Sequence, residues 1–361
     1  MRGRLLTPGP TAGLTARLPA DPATADFGRR QLLQGASTLL VNRRLSGAAA
    51  TLSNAAAALW GAGLIGGCAS TAYRDAAFTR YAPLLFEANT TGGGRAFLFG
   101  ALHVGTERFY PLPEAIESRY RQADRLAIEI DSAAHWDELI AGFAPRVRLP
   151  PGRRLAELIG ADLLDEVRAF YRFDDQRWAE IERLQPWWIA NFRFNTDDDR
   201  AMGASGEFGS ERFFLARARA DRKPVLELET PADQIDGFSG GDFDEQRDQF
   251  VAWFDIARRR GGMMRELIEA WRTGDAATIA ALKARAWGDA DHLSTLRRRF
   301  FTGRDARMAQ RLARELAGGG TLFAAIGVFH LVGDDSVVAQ LAGLGLSVRP
   351  VETQDRYIPI E

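Results

Sequence analysis

Residues 97–105 read FLFGALHVG, an apolar run that breaks at a glycine and presents His103 three residues later. A similar stretch near the other end of the chain, residues 323–333, reads FAAIGVFHLVG and presents His330 three residues after a glycine. A short apolar run bounded by glycine predicts a buried strand, so each histidine falls just past the carboxyl end of one. Open α/β sheets hold their ligands at that edge.

The repetition of the motif G-x-x-H determines how the two histidines are interpreted. A single histidine in this position is usually a loop residue whose ring is tied to a backbone carbonyl. Two of them, at equivalent points of two similar units, favour a metal site or an acid/base pair assembled between the units. The chain has four histidines. The other two, His135 and His292, follow no strand end, so we expect them to lie outside this site.

Composition restricts the class of protein. The chain has 361 residues, of which 46% are hydrophobic and 26% charged, so it is globular and can bury a large core. Its formal net charge of −1, with arginines scattered among acids, argues against nucleic acid as a partner. The one cysteine, Cys68, excludes an internal disulfide and a cysteine-cluster metal site. A metal would therefore need histidine and carboxylate ligands.

Two segments precede the expected folded part. Residues 1–40 are rich in Pro, Gly, Ala and Arg, which predicts disorder or an over-extended gene model. In residues 41–68, two arginines are followed by an uncharged run and by small residues before Cys68. This pattern is typical of a bacterial lipoprotein signal, so we expect Cys68 to be lipidated and the protein to lie in the cell envelope, at the outer membrane facing the periplasm. An uncleaved transmembrane anchor is the alternative, because the run is long enough to span a bilayer.

The folded domain is expected over residues 81–355. Strands are predicted at six apolar runs, the first of them at a sheet edge: 83–88, 96–100, 126–131, 223–230, 321–327 and 346–351. Two helical insertions, about 136–220 and 244–317, have apolar residues at helical spacing. A helix and a further strand follow each G-x-x-H stretch. The sequence therefore predicts an α/β fold with a mixed, mostly parallel sheet built from two similar strand-GxxH-helix-strand units.

Two carboxylates in predicted strands are unusual for their position. Glu129 interrupts an apolar strand, where a carboxylate is costly unless it is paired or bound to a metal. Glu229 lies at the carboxyl end of its strand and can reach the same crevice, although a solvated strand edge explains it equally well. The adjacent Trp187 and Trp188 are interpreted as core packing, with the wall of a substrate site as the alternative.

Seven motifs over residues 83–352 resemble the TraB/GumN family. In chain order they are FLFGALHVGTERFYPLP, DRLAIEID, LQPWW, KPVLELETPADQ, AWRTGD, GRDARMAQRL and AAIGVFHLVGDDSVVAQLAGLGLSV. This family is related to the animal Tiki proteins, which resemble metal-dependent peptidases that trim the amino terminus of an extracellular signalling protein. It also includes bacterial proteins that dampen peptide pheromones. The resemblance implies a metal-dependent peptidase.

The resemblance also assigns roles to residues. The residues that match the family's site are His103 and His330 as the motif histidines, Glu129 as the acid of the first unit, Arg304 as the arginine before the second motif, and Glu229 and Gln234 in the stretch L-E-T-x-x-x-Q. The sequence departs from the family pattern at Ala101, where threonine is frequent, at Asp305, where asparagine is frequent, and at Glu211, where aspartate is usual. None of these changes removes an expected ligand.

Two histidines and a carboxylate from different strand ends form a common ligand set for a catalytic divalent metal with one position open for water. We expect His103, Glu129 and His330 to bind a divalent transition metal: manganese, cobalt or zinc. Glu229 is the candidate general base for the water. Arg304 is the candidate for holding an oxyanion or a substrate carboxylate. Hydrolysis of peptides, or of proteins near their amino termini, is implied by the resemblance alone.

Two alternatives from other functional classes stay open. One is a non-catalytic lipoprotein that captures haem or a peptide through the histidines. The other is metal-independent hydrolysis, in which a histidine acts as general base beside Glu129, as in the erythromycin esterase-like relatives of this fold. The sequence contains no H-E-x-x-H motif, so the usual helix-borne zinc peptidase site is excluded.

Overall fold

The computed structural model describes residues 78–172, 174–192, 204–258, 262–287, 294–353 and 356–359. The predicted N-terminal extension (1–40), the lipoprotein-type segment (41–68) with Cys68, and His292 lie outside the described residues. Within the described ranges, no helix combines the length and the apolar character needed to cross a membrane.

A six-stranded sheet forms the centre of the molecule. The strands of the chain are β1 (Phe78–Tyr81), β2 (Leu85–Asn89), β3 (Arg95–Ala101), β4 (Arg125–Ile128), β5 (Val225–Glu227), β6 (Thr321–Gly327), β7 (Ser347–Pro350) and β8 (Arg356–Pro359). The order in the sheet is β5-β4-β6-β3-β2-β7, and β1 pairs with β8 in a separate antiparallel ribbon. Only β2 runs against its neighbours in the sheet. The predicted mixed, mostly parallel α/β sheet is confirmed.

The strands β3 and β6 are direct parallel neighbours, although most of the chain separates them. Their register places Ala101 opposite Gly327. Consequently both strands end at the same level, and the histidines that follow them emerge at the same edge of the sheet. β4 pairs with the other side of β6, so β6 lies between the two strands of the first predicted unit.

Three strand predictions need correction. The run 83–88 was predicted as an edge strand, but β2 pairs on both sides, and the edges are β5 and β7. The runs 126–131 and 223–230 were predicted as long strands, but β4 ends at Ile128 and β5 at Glu227. Glu129 and Glu229 therefore lie just beyond the strands. The backbone N–H of Glu229 donates to the carbonyl of Glu129 at 2.8 Å, so the two residues are side by side.

Helices fill the connections between the strands. They are α1 (Glu114–Gln122), α2 (Trp136–Val147), α3 (Leu155–Ile159), α4 (Ala161–Tyr171), α5 (Asp175–Ile181), α6 (Pro186–Phe192), α7 (Ser210–Asp221), α8 (Pro231–Ser239), α9 (Phe243–Ala257), α10 (Gly262–Thr273), α11 (Ala276–Trp287), α12 (Ser294–Arg297), α13 (Gly303–Ala317) and α14 (Val337–Gly343). A π turn, Arg298–Thr302, leads directly into α13. Helix α1 begins after a proline and carries Glu114 and Glu117 in its first turn, where carboxylates complement the helix dipole.

The sheet is covered on both faces, which explains why β3 and β6 are continuous apolar runs. On one face Phe97, Phe99 and Phe323 pack with side chains of α1, α7 and α10. On the other face Leu98 and Ile326 pack with the apolar side of α13 and α14. A further core joins α3–α6 to α9 and contains Trp187 and Trp188, which are fully buried. The two tryptophans are core residues.

Candidate functional site

The ends of β3 and β6 bring the predicted site residues to one point. A methyl group at Gly327 would lie 2.8 Å from Oε1 of Glu129, 3.4 Å from Nε2 of His103 and 3.5 Å from Cδ2 of His330. The two imidazole rings are therefore separated by at most the sum of the last two distances. A side chain at this position would fill the space between the three groups, so Gly327 leaves a cradle that they line.

His330 is the buried member of the pair. It lies in the short 3₁₀ turn Val328–Leu331 after β6 and is 5% exposed. Its Nδ1 is hydrogen-bonded to the carboxyl group of Asp305, and its Nε2 lies 3.9 Å from Oε1 of Glu129. Burial lowers the pKa of His330 to about 4, despite the nearby charge of Glu129. The ring is neutral at pH 7, and its Cδ2 faces the cradle.

His103 is the accessible member. Its side chain is 48% exposed, and its Nδ1 lies 3.0 Å from Oε2 of Glu211 on helix α7. Burial of part of the ring acts to lower the pKa of His103, but the hydrogen bond and charge of Glu211 outweigh it and raise the pKa to about 9. Without a bound metal, His103 is therefore an imidazolium at pH 7, and a metal bound there would have to displace the proton of Nε2. Each imidazole contacts a carboxyl group at Nδ1.

Glu129 connects the two histidines to the interior. Its Oε1 accepts the backbone N–H of Gly327 at 2.7 Å, and its Oε2 lies 3.3 Å from Nη2 of Arg304. A buried carboxylate such as that of Glu129 needs a positively charged partner. Arg304 supplies this positive charge from within the protein, so the burial of Glu129 does not by itself require a metal.

Arg304 and Glu229 form a buried bidentate pair beneath Glu129. Nε of Arg304 donates to one oxygen of Glu229 at 2.6 Å, and Nη2 donates to the other at 2.7 Å. Gln234 also donates to Glu229 at 2.6 Å. Burial acts to lower the pKa of Arg304, but the charge of Glu229 outweighs it and raises the pKa above its ordinary value. As placed, Glu229 uses both oxygens to hold Arg304, and its role as general base stays a prediction.

The donor set of the cradle fits a divalent transition metal in chemistry. Metal-bound histidines generally donate their second ring N–H to a carboxylate, and Nδ1 of both His103 and His330 contacts a carboxyl group. Two atoms that each lie ~2 Å from one metal are at most about 4 Å apart, which the 3.9 Å between His330 and Glu129 satisfies. In the described part of the chain, however, no three His, Cys, Asp or Glu side chains are already grouped as a metal site. The ligand roles stay a prediction.

His135 is not part of the cradle. Its Nε2 contacts Oε2 of Glu227 at 2.8 Å. Glu211 and Asp305 were identified from the sequence only as departures from a family pattern, and their contacts with the histidines were not predicted. The departures were nevertheless a usable signal, because both positions carry acids that could pair with an imidazole.

A groove lies beside the loop that carries His103. Its lining combines aromatic rings with charged side chains: Tyr110, Glu207, Phe208, Arg212, Phe213, Ala216 and Arg217. The backbone at Phe208 packs closely against the loop that carries His103, since a methyl group at Gly105 would lie 2.3 Å from the carbonyl oxygen of Phe208. The ring of Tyr110 stacks on Phe213 at 4.4 Å. The groove is thus a recess with aromatic and charged walls beside the loop of the accessible histidine.

Comparison with known proteins identifies the family of the chain. The chain is 26% identical over 147 residues to the "Uncharacterized protein YbaP" of Escherichia coli (strain K12), which covers 40% of this chain and 53% of that protein. It is 25% identical over 144 residues to the protein of the same name from Shigella flexneri, covering 40% and 52%. The chain thus aligns with about half the length of these curated relatives. No solved structure gives a significant match. A sequence model of the TraB/PrgY/gumN family matches residues 84–350, so the chain belongs to the TraB/PrgY/gumN family.

Proposed function

We propose that the protein is a metal-dependent hydrolase of peptides whose centre is the cradle at Gly327. The observation that carries the proposal is the arrangement of the two imidazoles. Nε2 of His103, Oε1 of Glu129 and the ring of His330 surround Gly327, and each imidazole contacts its own carboxyl group at Nδ1. Two imidazoles and one carboxylate are ligands that zinc, cobalt and manganese accept.

In this proposal the residues of the chain divide the work. His103, Glu129 and His330 would hold the metal, which when bound supplies an activated water and polarises the substrate carbonyl. Arg304 keeps Glu129 in place through its contact with Oε2. His103 is the histidine that substrate reaches first, because half of its side chain is exposed. The groove beside it would receive an apolar side chain of the peptide.

A second candidate, metal-independent hydrolysis, is supported by the acidities of the two histidines. The surroundings set the pKa of His330 at about 4 and that of His103 at about 9. A pair of titratable groups pushed apart in this way is typical of a base and an acid that act together. Here His330 would accept a proton at Nε2 while His103 donates one. Activity that survives chelators would favour this candidate.

The test is metal analysis followed by a peptide-library digest. The domain from about residue 70 is purified as wild type and as the variant H103A/H330A, reloaded with manganese, cobalt or zinc, and dialysed. We expect the wild type to retain a divalent metal and the double variant to lose it, with an unchanged far-ultraviolet circular dichroism spectrum because the ligands lie beyond the strand ends. The matched control is H135A, which removes a histidine outside the cradle.

The digest decides between the functional classes. We expect the loaded wild type to cleave peptides near their amino termini and H103A/H330A to leave them intact. Retained metal with a library left uncut would contradict the hydrolase and favour a binding protein, which a Soret band on haem addition or peptide capture would identify. If the wild type retains no metal and cleaves no peptide, Arg304 is the cation of the centre and the site is structural.

We further propose that Cys68 carries the lipid anchor and that the enzyme works on the periplasmic side of the outer membrane. The support is the uncharged run and the small residues before this cysteine. In a bacterial host, wild type should partition into the detergent phase at the size of the processed protein. C68S should stay an unprocessed precursor, and S53A should behave as wild type. A mature wild-type protein that begins near Met1 would contradict the proposal.

A further inference from the structure

The loop that carries His103 leaves the sheet where the hydrogen-bonded ladder ends. Ala101 is the last residue of β3 and the last to pair with β6, so Leu102 lies just beyond the ladder. Leu102 is 4% exposed. A buried backbone N–H or carbonyl without a partner is costly. The loop therefore needs hydrogen bonds from another part of the chain.

Ser210 supplies hydrogen bonds to both backbone groups of Leu102. Its hydroxyl accepts the N–H of Leu102 at 2.9 Å, and its own backbone N–H donates to the carbonyl of Leu102 at 2.8 Å. Ser210 is the first residue of α7 and is fully buried. It thus takes the place that a neighbouring strand would have in the sheet.

The residues on either side of Ser210 contact His103 itself. Gly209 packs on the backbone of His103, since a methyl group at Gly209 would lie 2.5 Å from the His103 carbonyl oxygen. Oε2 of Glu211 lies 3.0 Å from Nδ1 of the imidazole. Three consecutive residues at the start of α7 therefore contact residues 102 and 103, from the backbone to the ring.

A second pair of hydrogen bonds holds the far end of the loop. Gly105 and Ser205 exchange backbone hydrogen bonds of 2.9 and 3.0 Å. The hydroxyl of Tyr110 donates to the carbonyl of Phe208 at 2.9 Å, and Phe208 also lines the groove. We call residues 205–211 the clamp. The clamp is thus at once a wall of the groove and the support of the loop that carries the accessible histidine.

We propose that Ser210 is a positioning residue that fixes His103 at the cradle. The two histidines differ in how they are held. His330 is 5% exposed and packs on the ring of Phe301, with centroids 5.2 Å apart, so its surroundings set its position. The side chain of His103 is 48% exposed and is restrained less by packing. Its position therefore depends on the backbone that Ser210 holds.

Replacing Ser210 by alanine removes the hydroxyl and keeps the other contacts of the clamp. The N–H of Leu102 then loses its acceptor, and the loop is held by fewer hydrogen bonds. His103 becomes free to take positions away from the cradle, although Glu211 still faces its ring. We therefore expect S210A to disturb His103 and to leave the buried His330 in place.

The matched control is S336A. Ser336 is 2% exposed and precedes α14, where its hydroxyl accepts the backbone N–H of Ala339 at 3.3 Å. This variant also removes a buried serine hydroxyl that accepts a backbone N–H at the start of a helix. The hydroxyl of Ser336 is bonded to its own helix and not to the loop that carries His103, so S336A should leave His103 in place.

The ring signals of the histidines in nuclear magnetic resonance spectra test the proposal on the metal-free full chain. The chain has four histidines, and H103N and H330N identify the signals of the pair. In wild type we expect one sharp set of signals for His103. In S210A the His103 signals should broaden or split, while those of His330 stay unchanged. S336A should keep the wild-type signals of His103.

Cobalt affinity, measured by competition with a chelator, tests the same positioning in the loaded full chain. This second measurement rests on the proposed function. Loss of a group that orients a metal ligand weakens metal binding ~10–100-fold, so we expect a decrease of this size in S210A and none in S336A. If the wild type binds no cobalt, the proposed function fails, and the spectra of the metal-free chain alone decide the role of Ser210.

A glycine variant keeps the test decisive if S210A does not fold. S210G also lacks the hydroxyl, but it leaves room for a water molecule to accept the N–H of Leu102 without holding it to α7. Unchanged His103 signals in whichever variant folds would overturn the proposal. Equal changes at His103 and His330 would also overturn it, because they would report a general loss of structure. If neither variant folds, Ser210 supports the whole fold and the proposal is wrong.

Discussion

Replacing Arg304 by methionine tests the buried ion pair on which the site is built. The guanidinium is 4% exposed and makes charge-assisted hydrogen bonds of 2.6 and 2.7 Å to Glu229, with a longer contact of 3.3 Å to Glu129. Methionine removes the charge and leaves two buried carboxylates facing each other. Loss of one partner of a buried pair costs about 3–5 kcal/mol of the free energy of unfolding, so we expect R304M to lose at least this much.

The same helix offers a matched control. Arg307 also pairs with a carboxylate, Asp233, at 3.0 Å, but its side chain is 52% exposed. Exposed pairs contribute ~1 kcal/mol or less, so R307M should unfold close to wild type. Urea denaturation followed by tryptophan fluorescence measures both variants. If R304M costs no more than R307M, the assignment of Arg304 as the cation that sustains the site is wrong.

Two further predictions concern the cradle and the helix that follows Glu229. We expect G327A to lose metal retention and ~1–3 kcal/mol of the free energy of unfolding, because its methyl group would lie 2.8 Å from Oε1 of Glu129. The control is G343A, whose methyl group has no atom within 4 Å. It should retain metal as wild type does. Burial acts to raise the pKa of Asp233, but hydrogen bonds from Thr230 outweigh it and lower the pKa. Asp233 should therefore stabilise the fold above the unfolded value of ~3.9 and lose this effect as pH falls through its lower folded pKa. In urea denaturation at decreasing pH, the free energy of unfolding of D233N should therefore approach that of wild type. A difference between the two proteins that does not change with pH would contradict this.

The meeting of His103 with His330 could be predicted from the sequence because it depends on local signals. Each apolar run ends at a G-x-x-H motif, and parallel strands present their carboxyl ends at one edge of a sheet. The position of Glu129 followed from the same rule. What the periodicity could not give was strand pairing: β2 has the composition of an edge strand but pairs on both sides.

The supporting residues could not be predicted because they reach the site from helices. Glu211 lies on α7 and Asp305 on α13, and the crossing of these helices over the sheet is set by side-chain packing between distant segments. The helical spacing of residues 244–317 does not indicate which of their arginines is buried. Arg304 was assigned to the site by the family resemblance alone, because burial of a guanidinium depends on where its carboxylate partner lies in space.

The position of β6 between β3 and β4 has a consequence for the biogenesis of the protein. The position between β3 and β4 in the sheet is occupied by β6, residues 321–327, which leave the ribosome late. Contacts this distant in sequence form slowly, after the intervening helices have folded. Until then Glu129 and His103 exist without His330 and without the cradle glycine. The cradle is thus absent from the growing chain and forms only when β6 enters the sheet between β3 and β4.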